Sequence, residues 1–238
     1  MINYGTMMEL LFPTRCAGCG EYAGRLLCPA CNVALPLIKG PACSRCGGPS
    51  PRVVERCPEC NDRIRHLDAT VAMAVYEEPL RAAILKLKYE NGWRLAPLLG
   101  AMAAVRLAPL ICTSRPLLTF VPMHRRRRRL RGYDHAQKLA EGVARALGLT
   151  VVPLLERARP TRPQSSLDHE DRRSNVRGSF KPSGYGLSGE EVVIVDDVLT
   201  TGYTLCECAA ILKANGAVRV TACVLARDLL GGGRALGR

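Results

Sequence analysis

Eight cysteines in the first 60 residues fall into four C-x-x-C pairs: Cys16/Cys19, Cys28/Cys31, Cys43/Cys46 and Cys57/Cys60. No other feature narrows the folding options of a stretch this short so far. A C-x-x-C pair in a tight turn presents two sulfurs to one ion. Two such pairs complete a closed tetrahedral site of the kind Zn²⁺ occupies in structural ribbons. The loops between knuckles, 8 residues from Cys19 to Cys28 and 10 from Cys46 to Cys57, suit small ribbons. Glycines follow the knuckles at Gly20, Gly47 and Gly48, where tight turns call for positive φ. Disulfides would need an oxidising compartment. Redox use would need a thioredoxin-like βαβ pattern, which this stretch lacks. Two structural zinc sites are therefore expected, built sequentially from the first four and the last four cysteines. Interleaved pairing and iron–sulfur ligation are the alternatives. A segment so short and so poor in apolar residues needs its metals to fold. Cys112, Cys206, Cys208 and Cys223 sit in apolar sequence and are expected to be buried small hydrophobes.

The remainder of the 238 residues is enough for one α/β core. At 47% hydrophobic residues the chain is globular rather than disordered. No apolar run approaches the roughly 18 residues of a membrane helix. The start, MINYGTMMELLF, has neither a basic n-region nor a small-residue cleavage site. A cytoplasmic location without membrane insertion is expected. Net charge is +13, concentrated in residues 123–181, which hold 15 Lys and Arg against 6 Asp and Glu. Such a local basic field favours polyanions: nucleic acid, phosphorylated metabolites or an anionic surface.

Three units are expected: residues 1–66 as a double zinc ribbon, 67–230 as an α/β domain and 231–238 (GGGRALGR) as a disordered tail. Strands are expected at 69–76, 117–121, 151–155, 191–195 and 217–226. Helices are expected at 78–89, 94–110, 134–147 and 204–215. Pro97 is placed in a first helical turn, and Gly148 and Gly216 act as stops. Residues 157–177 read as polar and irregular, with a short helix near 169–174. Strands alternating with helices call for a parallel sheet covered on both faces.

The run VVIVDDVLTTGYT at 192–204 carries the chemistry. Its β-branched start drives a buried central strand. Asp196 and Asp197 are expected at the carboxyl end of that strand, where α/β folds place ligands. Val198 and Leu199 lead into Thr200, Thr201, Gly202, Tyr203 and Thr204, which turn into a helix. Unpaired backbone N–H groups and the positive end of a helix dipole then surround one point, and the threonine hydroxyls add donors. That environment suits a dianionic phosphate. Adjacent carboxylates suit two vicinal ribose hydroxyls.

This run is similar to the phosphoribosyl-pyrophosphate (PRPP) motif of type I phosphoribosyltransferases. The likeness implies that Asp196 and Asp197 hold the ribose 2′- and 3′-hydroxyls and that Thr200 to Thr204 wrap the 5′-phosphate, Val198 and Leu199 belonging to the same binding run, with Mg²⁺ bridging pyrophosphate and ribose oxygens. Tyr203 stands where the family usually has a small residue. The four C-x-x-C pairs ahead of such a domain resemble the ComF (ComFC) family of competence proteins. LRAAILKLKYENG at 80–92, VPMHRRRRRLRGYDHAQKLA at 121–140 and RPTRPQSSLDHEDRRSNVRGSF at 159–180 agree. RGYDH at 131–135 departs from the family's RGYNQ or RGFNQ, so that Asp134 and His135 replace an amide pair.

The family likeness implies a role in natural transformation, on single-stranded DNA and beside the DNA-uptake machinery. A catalytically active phosphoribosyltransferase of nucleotide metabolism is the alternative. A nucleic-acid adaptor with a vestigial PRPP site is the third reading. The arginine run at 125–129, with Arg126 near its head, is expected in a mobile loop that clamps pyrophosphate or grips a DNA backbone. Lys86 and Lys88 precede Asn91-Gly92, where a pyrophosphate-binding turn is expected. Arg172, Arg173 and Asn175 are further phosphate candidates. Aromatics are only 5% of the chain, so base stacking has few candidates: Tyr89, Trp93, Tyr133 and Phe180.

Overall fold

In a computed structural model, which describes residues 14–60, 63–159 and 176–229, the apolar β-branched runs form an all-parallel four-stranded sheet. In chain order the elements are α1 (Pro29–Val33), β1 (Ala69–Val75), α2 (Leu80–Tyr89), α3 (Ala96–Leu107), β2 (Leu117–Phe120), α4 (Arg125–Arg131), α5 (His135–Leu147), β3 (Leu155–Arg157), β4 (Phe180–Pro182), β5 (Glu191–Leu199), α6 (Tyr203–Ala214) and β6 (Arg219–Arg227). The order across the sheet is β1-β6-β5-β2, so β5 and β6 are inner strands. Both are buried almost throughout, as near-continuous apolar runs require when each face is covered. On one face Ile84, Leu87, Leu99, Leu107, Leu139 and Val143 of α2, α3 and α5 pack against Val193 and Val195. On the other, Leu205, Cys208, Ala209 and Leu212 of α6 pack against Ile194, Ala222 and Val224.

Two glycines let α3 and α5 approach backbone to backbone. A Cβ on Gly100 would lie 2.8 Å from Leu139 O, and one on Gly142 2.6 Å from Ala96 O. Any larger residue at either site would have to push the two helices apart.

Three stretches differ from what the sequence pattern implies. Residues 151–155 do not form one strand. Val151 makes a single parallel bridge to Leu118, and Pro153, which lacks an N–H, ends that ladder. The chain then turns away as β3, pairing antiparallel with β4 in a separate ribbon. The arginine run is a helix, α4, and not a loop. His124 Nδ1 accepts from Arg126 N at its start, and Gly132 stops it at φ 82°. Arginine is a good helix former, and the exposed face lets solvent screen the like charges. Finally, β5 runs on through Leu199 because β6 keeps pairing with it as far as Leu199 opposite Arg227. The two aspartates therefore lie within the strand. The other element bounds fall within about three residues of the expected ones, close to the usual scatter at helix and strand ends. Cys206, Cys208 and Cys223 are buried, but Cys112 is exposed in a bend held by Glu191. The expected helix near 169–174, the candidates Arg172, Arg173 and Asn175, and the tail lie outside the described residues. Among the described residues no helix is long and apolar enough to cross a membrane.

Both cysteine-rich stretches lie along β1. Leu37 bridges Ala74, Ile38 N donates to Met73 O at 3.1 Å and Thr70 N donates to Ser44 O at 2.8 Å. The sheet edge that β1 would otherwise expose is covered in this way.

Candidate functional site

The eight knuckle cysteines gather into two groups, Cys16/Cys19/Cys28/Cys31 and Cys43/Cys46/Cys57/Cys60, which is the sequential arrangement. Within a group all four Sγ atoms lie within 4.8 Å of one another. Cys19–Cys28 Sγ atoms are 3.9 Å apart, and Cys43–Cys60, Cys46–Cys57 and Cys57–Cys60 are each 3.6 Å apart. A tetrahedron with metal–sulfur bonds of about 2.3 Å has edges of about 3.8 Å, so both groups fit Zn²⁺. Burial would raise the Cys16 thiol, but backbone N–H groups of Cys28, Cys19 and Gly18 outweigh it and bring the thiol down to about 6, whereas burial and its cysteine neighbours push Cys31 up to about 12. Gly20 and Gly47 take positive φ, 83° and 68°; Gly48 does not.

The second site is a pocket of about 400 Å³ at the carboxyl end of the sheet. β2 pairs with β5 only as far as Phe120 opposite Val195, so one side of β5 opens from Asp196 onward. The chain leaves β5 at Leu199, turns through residues 200–202, and enters α6 at Gly202, φ 83°. No side chain caps this helix start, so the positive end of its dipole lies at the pocket. Asp196, Asp197, Val198, Leu199, Thr200, Thr201, Gly202, Tyr203 and Thr204 all line the pocket.

Opposite the turn stand Lys88 of α2, Arg127 and Arg131 of α4, His135 of α5 and Arg157 of β3. Lys88 Nζ is 2.9 Å and His135 Nε2 2.7 Å from Asp197 Oδ2. Arg131 Nη1 lies 2.8 Å from His135 Nδ1. Because a guanidinium only donates, Nδ1 accepts there, and Nε2 carries the proton toward Asp197. Burial alone would raise Asp197, but Lys88 and His135 outweigh it and hold the carboxyl well below the usual range. Burial also works against the charge on Lys88, and Asp197 more than offsets it. Asp196 goes the other way: burial and the neighbouring Asp197 charge lift it to about 7. Burial and the nearby Arg127 lower Arg157, against the opposing pull of Asp196 and Asp134.

Several residues named from the sequence fall elsewhere. Arg126 does not line the pocket; Arg127 and Arg131 do. The helical form of the run explains this, since residues four apart share a face. Lys86 donates to Cys16 O at 3.1 Å and so serves the first ribbon. Asn91 and Gly92 are not pocket residues. Tyr133 and Phe180 are buried and give no stacking surface, whereas Tyr89 and Trp93 are exposed. Sequence reasoning did not pick out His135 as a site residue, nor Arg157 or Tyr76. The departure at RGYDH was the available signal. Asp134 there caps α5 by accepting from Ala136 N and Gln137 N. It also accepts from Met123 N at 2.7 Å, fixing a pocket wall.

Comparison with known proteins gives two family matches. Residues 7–63 match the double zinc ribbon domain family, and residues 136–234 match the phosphoribosyl transferase domain family. Competence protein F of Haemophilus influenzae is 27% identical over 230 residues, covering 92% of this chain and 100% of that protein. DNA utilization protein YhgH of Escherichia coli O157:H7 is 30% identical over 210 residues, covering 85% of this chain and 91% of that protein. A solved glutamine phosphoribosylpyrophosphate amidotransferase from B. subtilis aligns with 56% of this chain and 26% of its own, at a TM-score of 0.40 and 22% identity. The fold is α/β and phosphoribosyltransferase-like, preceded by two four-cysteine clusters of the double zinc ribbon kind.

Proposed function

Because the chain belongs to the family of Competence protein F and YhgH, we propose that it binds PRPP and handles single-stranded DNA in DNA uptake. One observation carries the PRPP half. A single pocket joins the Asp196–Asp197 pair, the uncapped start of α6 and the cations Lys88, Arg127, Arg131 and Arg157. A phosphorylated sugar bearing a pyrophosphate asks for that set. Asp197, kept ionised by Lys88 and His135, accepts from one ribose hydroxyl. Asp196 accepts from the other once its proton has left. The amides and hydroxyls of residues 200–204 receive the 5′-phosphate. Arg127, Arg131 and Arg157 face the pyrophosphate. The carboxylates and the substrate's own oxygens are hard donors of the kind Mg²⁺ takes. Bound with PRPP, the ion would supply further charge neutralisation. We assign residues 1–66 to the ribbon unit and 67–230 to the PRPP unit, with a cytoplasmic location.

The DNA half is supported by α4. Arg125, Arg126, Arg128 and Arg129 are exposed and lie outside the pocket, as a stripe that can meet phosphates without reading bases.

Calorimetric titration with PRPP·Mg²⁺ tests the reading. Binding is expected in the wild type and its loss in the Asp196→Ala, Asp197→Ala double variant. A double variant that binds as well as wild type puts the site elsewhere. Release of pyrophosphate on adding a free base, but not DNA, would move the protein to the nucleotide-metabolism class of phosphoribosyltransferases.

A further inference from the structure

Strand β6 ends on Arg227, whose guanidinium is only 2% exposed. A buried cation needs partners to hold it there. Nη1 donates to Leu199 O at 3.0 Å and Thr200 O at 2.7 Å, and also to Asp228 O. Leu199 and Thr200 open the turn that faces the pocket. The rest of the guanidinium turns to the second ribbon. Nη2 lies 3.9 Å from Glu59 Oε2, between Cys57 and Cys60 in sequence. Gly48 sits against both groups: a Cβ there would be 3.4 Å from Cys46 Sγ and 3.7 Å from Arg227 Cγ.

Two further contacts join the same parts. Ile64 follows closely on the last knuckle, its N–H donating to Cys60 O at 3.2 Å. Its side chain lies under Gly202, where a Cβ would stand 3.0 Å from Ile64 Cγ1. Arg65 N donates to Cys206 Sγ at 3.2 Å, in the first turn of α6. The pocket turn is thus braced from beneath by the end of the second ribbon and by one buried arginine shared between them.

We infer that Arg227 is a positioning residue for the phosphate turn, and that the loaded Cys43/Cys46/Cys57/Cys60 cluster is the abutment against which it is held. The inference rests on the reading that residues 200–204 bind the 5′-phosphate. Four thiolates around one divalent ion leave a net negative charge. Beside a buried guanidinium that charge is a fixed counter-ion. Without the metal the 43–60 stretch loses the constraint that shapes it, and Ile64 and Glu59 no longer brace the turn.

Amide hydrogen exchange on the full chain without PRPP, together with zinc content and PRPP·Mg²⁺ affinity, tests this. Cys57→Ser should lose one zinc, speed exchange in 199–206 and weaken PRPP binding by about tenfold or more. Cys19→Ser should lose one zinc with faster exchange confined to 14–38. Arg227→Met should keep both zincs yet speed exchange in 199–206, and Arg227→Lys should fall between Met and wild type. If Arg227→Met does not fold, Ile64→Ala carries the same expectation. Unchanged exchange in 199–206 in Cys57→Ser, or in a folded Arg227→Met, overturns the inference. If wild type fails to bind PRPP while exchange responds as stated, the brace stands and the PRPP reading falls.

Discussion

The two four-cysteine clusters share one ligand pattern and differ in what they are built onto. The first joins the core beside α2. Cys16, Ala17, Leu27 and Leu35 pack with Leu80, Ala83 and Leu87, and Lys86 donates to Cys16 O. The second joins the opposite face. Cys43, Cys46, Cys60 and Ile64 pack with Leu199, Leu205 and Cys206, next to the pocket turn. One cluster packs in the layer of α2 and the other beside the pocket turn. The difference teaches that two clusters of one ligand pattern are told apart by what their knuckles touch. Ligand spacing is silent on that.

Metal removal should produce the largest effects. The purified protein should hold about two Zn²⁺ per chain, and stripping both should unfold the ribbons, since such sites contribute on the order of 10 kcal/mol each to folding. Metal analysis combined with circular dichroism checks this, and freshly purified protein without zinc would end the comparison. Next in size is the pocket itself. Saturating PRPP·Mg²⁺, at ~100 times Kd, should stabilise the wild type by roughly 2.7 kcal/mol. That gain should vanish in Asp196→Ala and in Asp197→Ala, read as the shift in melting temperature.

The two faces of α4 sharpen the comparison at smaller scale. Arg127→Ala with Arg131→Ala should weaken PRPP binding. Arg125→Ala with Arg128→Ala and Arg129→Ala should leave it in place and flatten the salt dependence of single-stranded DNA binding. Each phosphate that is no longer neutralised takes about 0.7 off the slope of log K against log salt. If the double and the triple variant affect both ligands equally, the two faces are one surface.

The smallest effect concerns Asp196. Its pKa in the fold, about 7, stands above the ordinary 3.8. The native state therefore holds the proton more tightly, and stability falls as pH rises from about 4 to 7. Asp196→Asn should raise the melting temperature of ligand-free protein at pH 8, with less gain at pH 5. For the same reason PRPP affinity of the wild type should climb between pH 6 and 8. A melting temperature indifferent to Asp196→Asn at pH 8 would show that the pair carries no stored repulsion.

The sequence alone determined the four cysteine pairs and most of the elements. Four C-x-x-C pairs admit few chemistries, because thiolate spacing is local and a tetrahedral ion demands four. The run from Val192 to Thr204 reads as strand, carboxylate pair and helix start, because burial, charge and capping are all written in neighbouring residues. The glycine stops at Gly148 and Gly216 belong to the same local grammar. Only the tertiary structure decided which residues meet across the chain. It set Lys88 and His135 on one carboxylate oxygen of Asp197. It turned Arg127 and Arg131 inward and left Arg126 outside. It kept β5 paired past the aspartates and laid Ile64 beneath Gly202. Contacts of this kind join positions tens of residues apart, and no local pattern encodes them. They follow from how the helices and ribbons pack on a common sheet, where a half-turn of α4 or one more rung of β5 changes which side chains share the pocket.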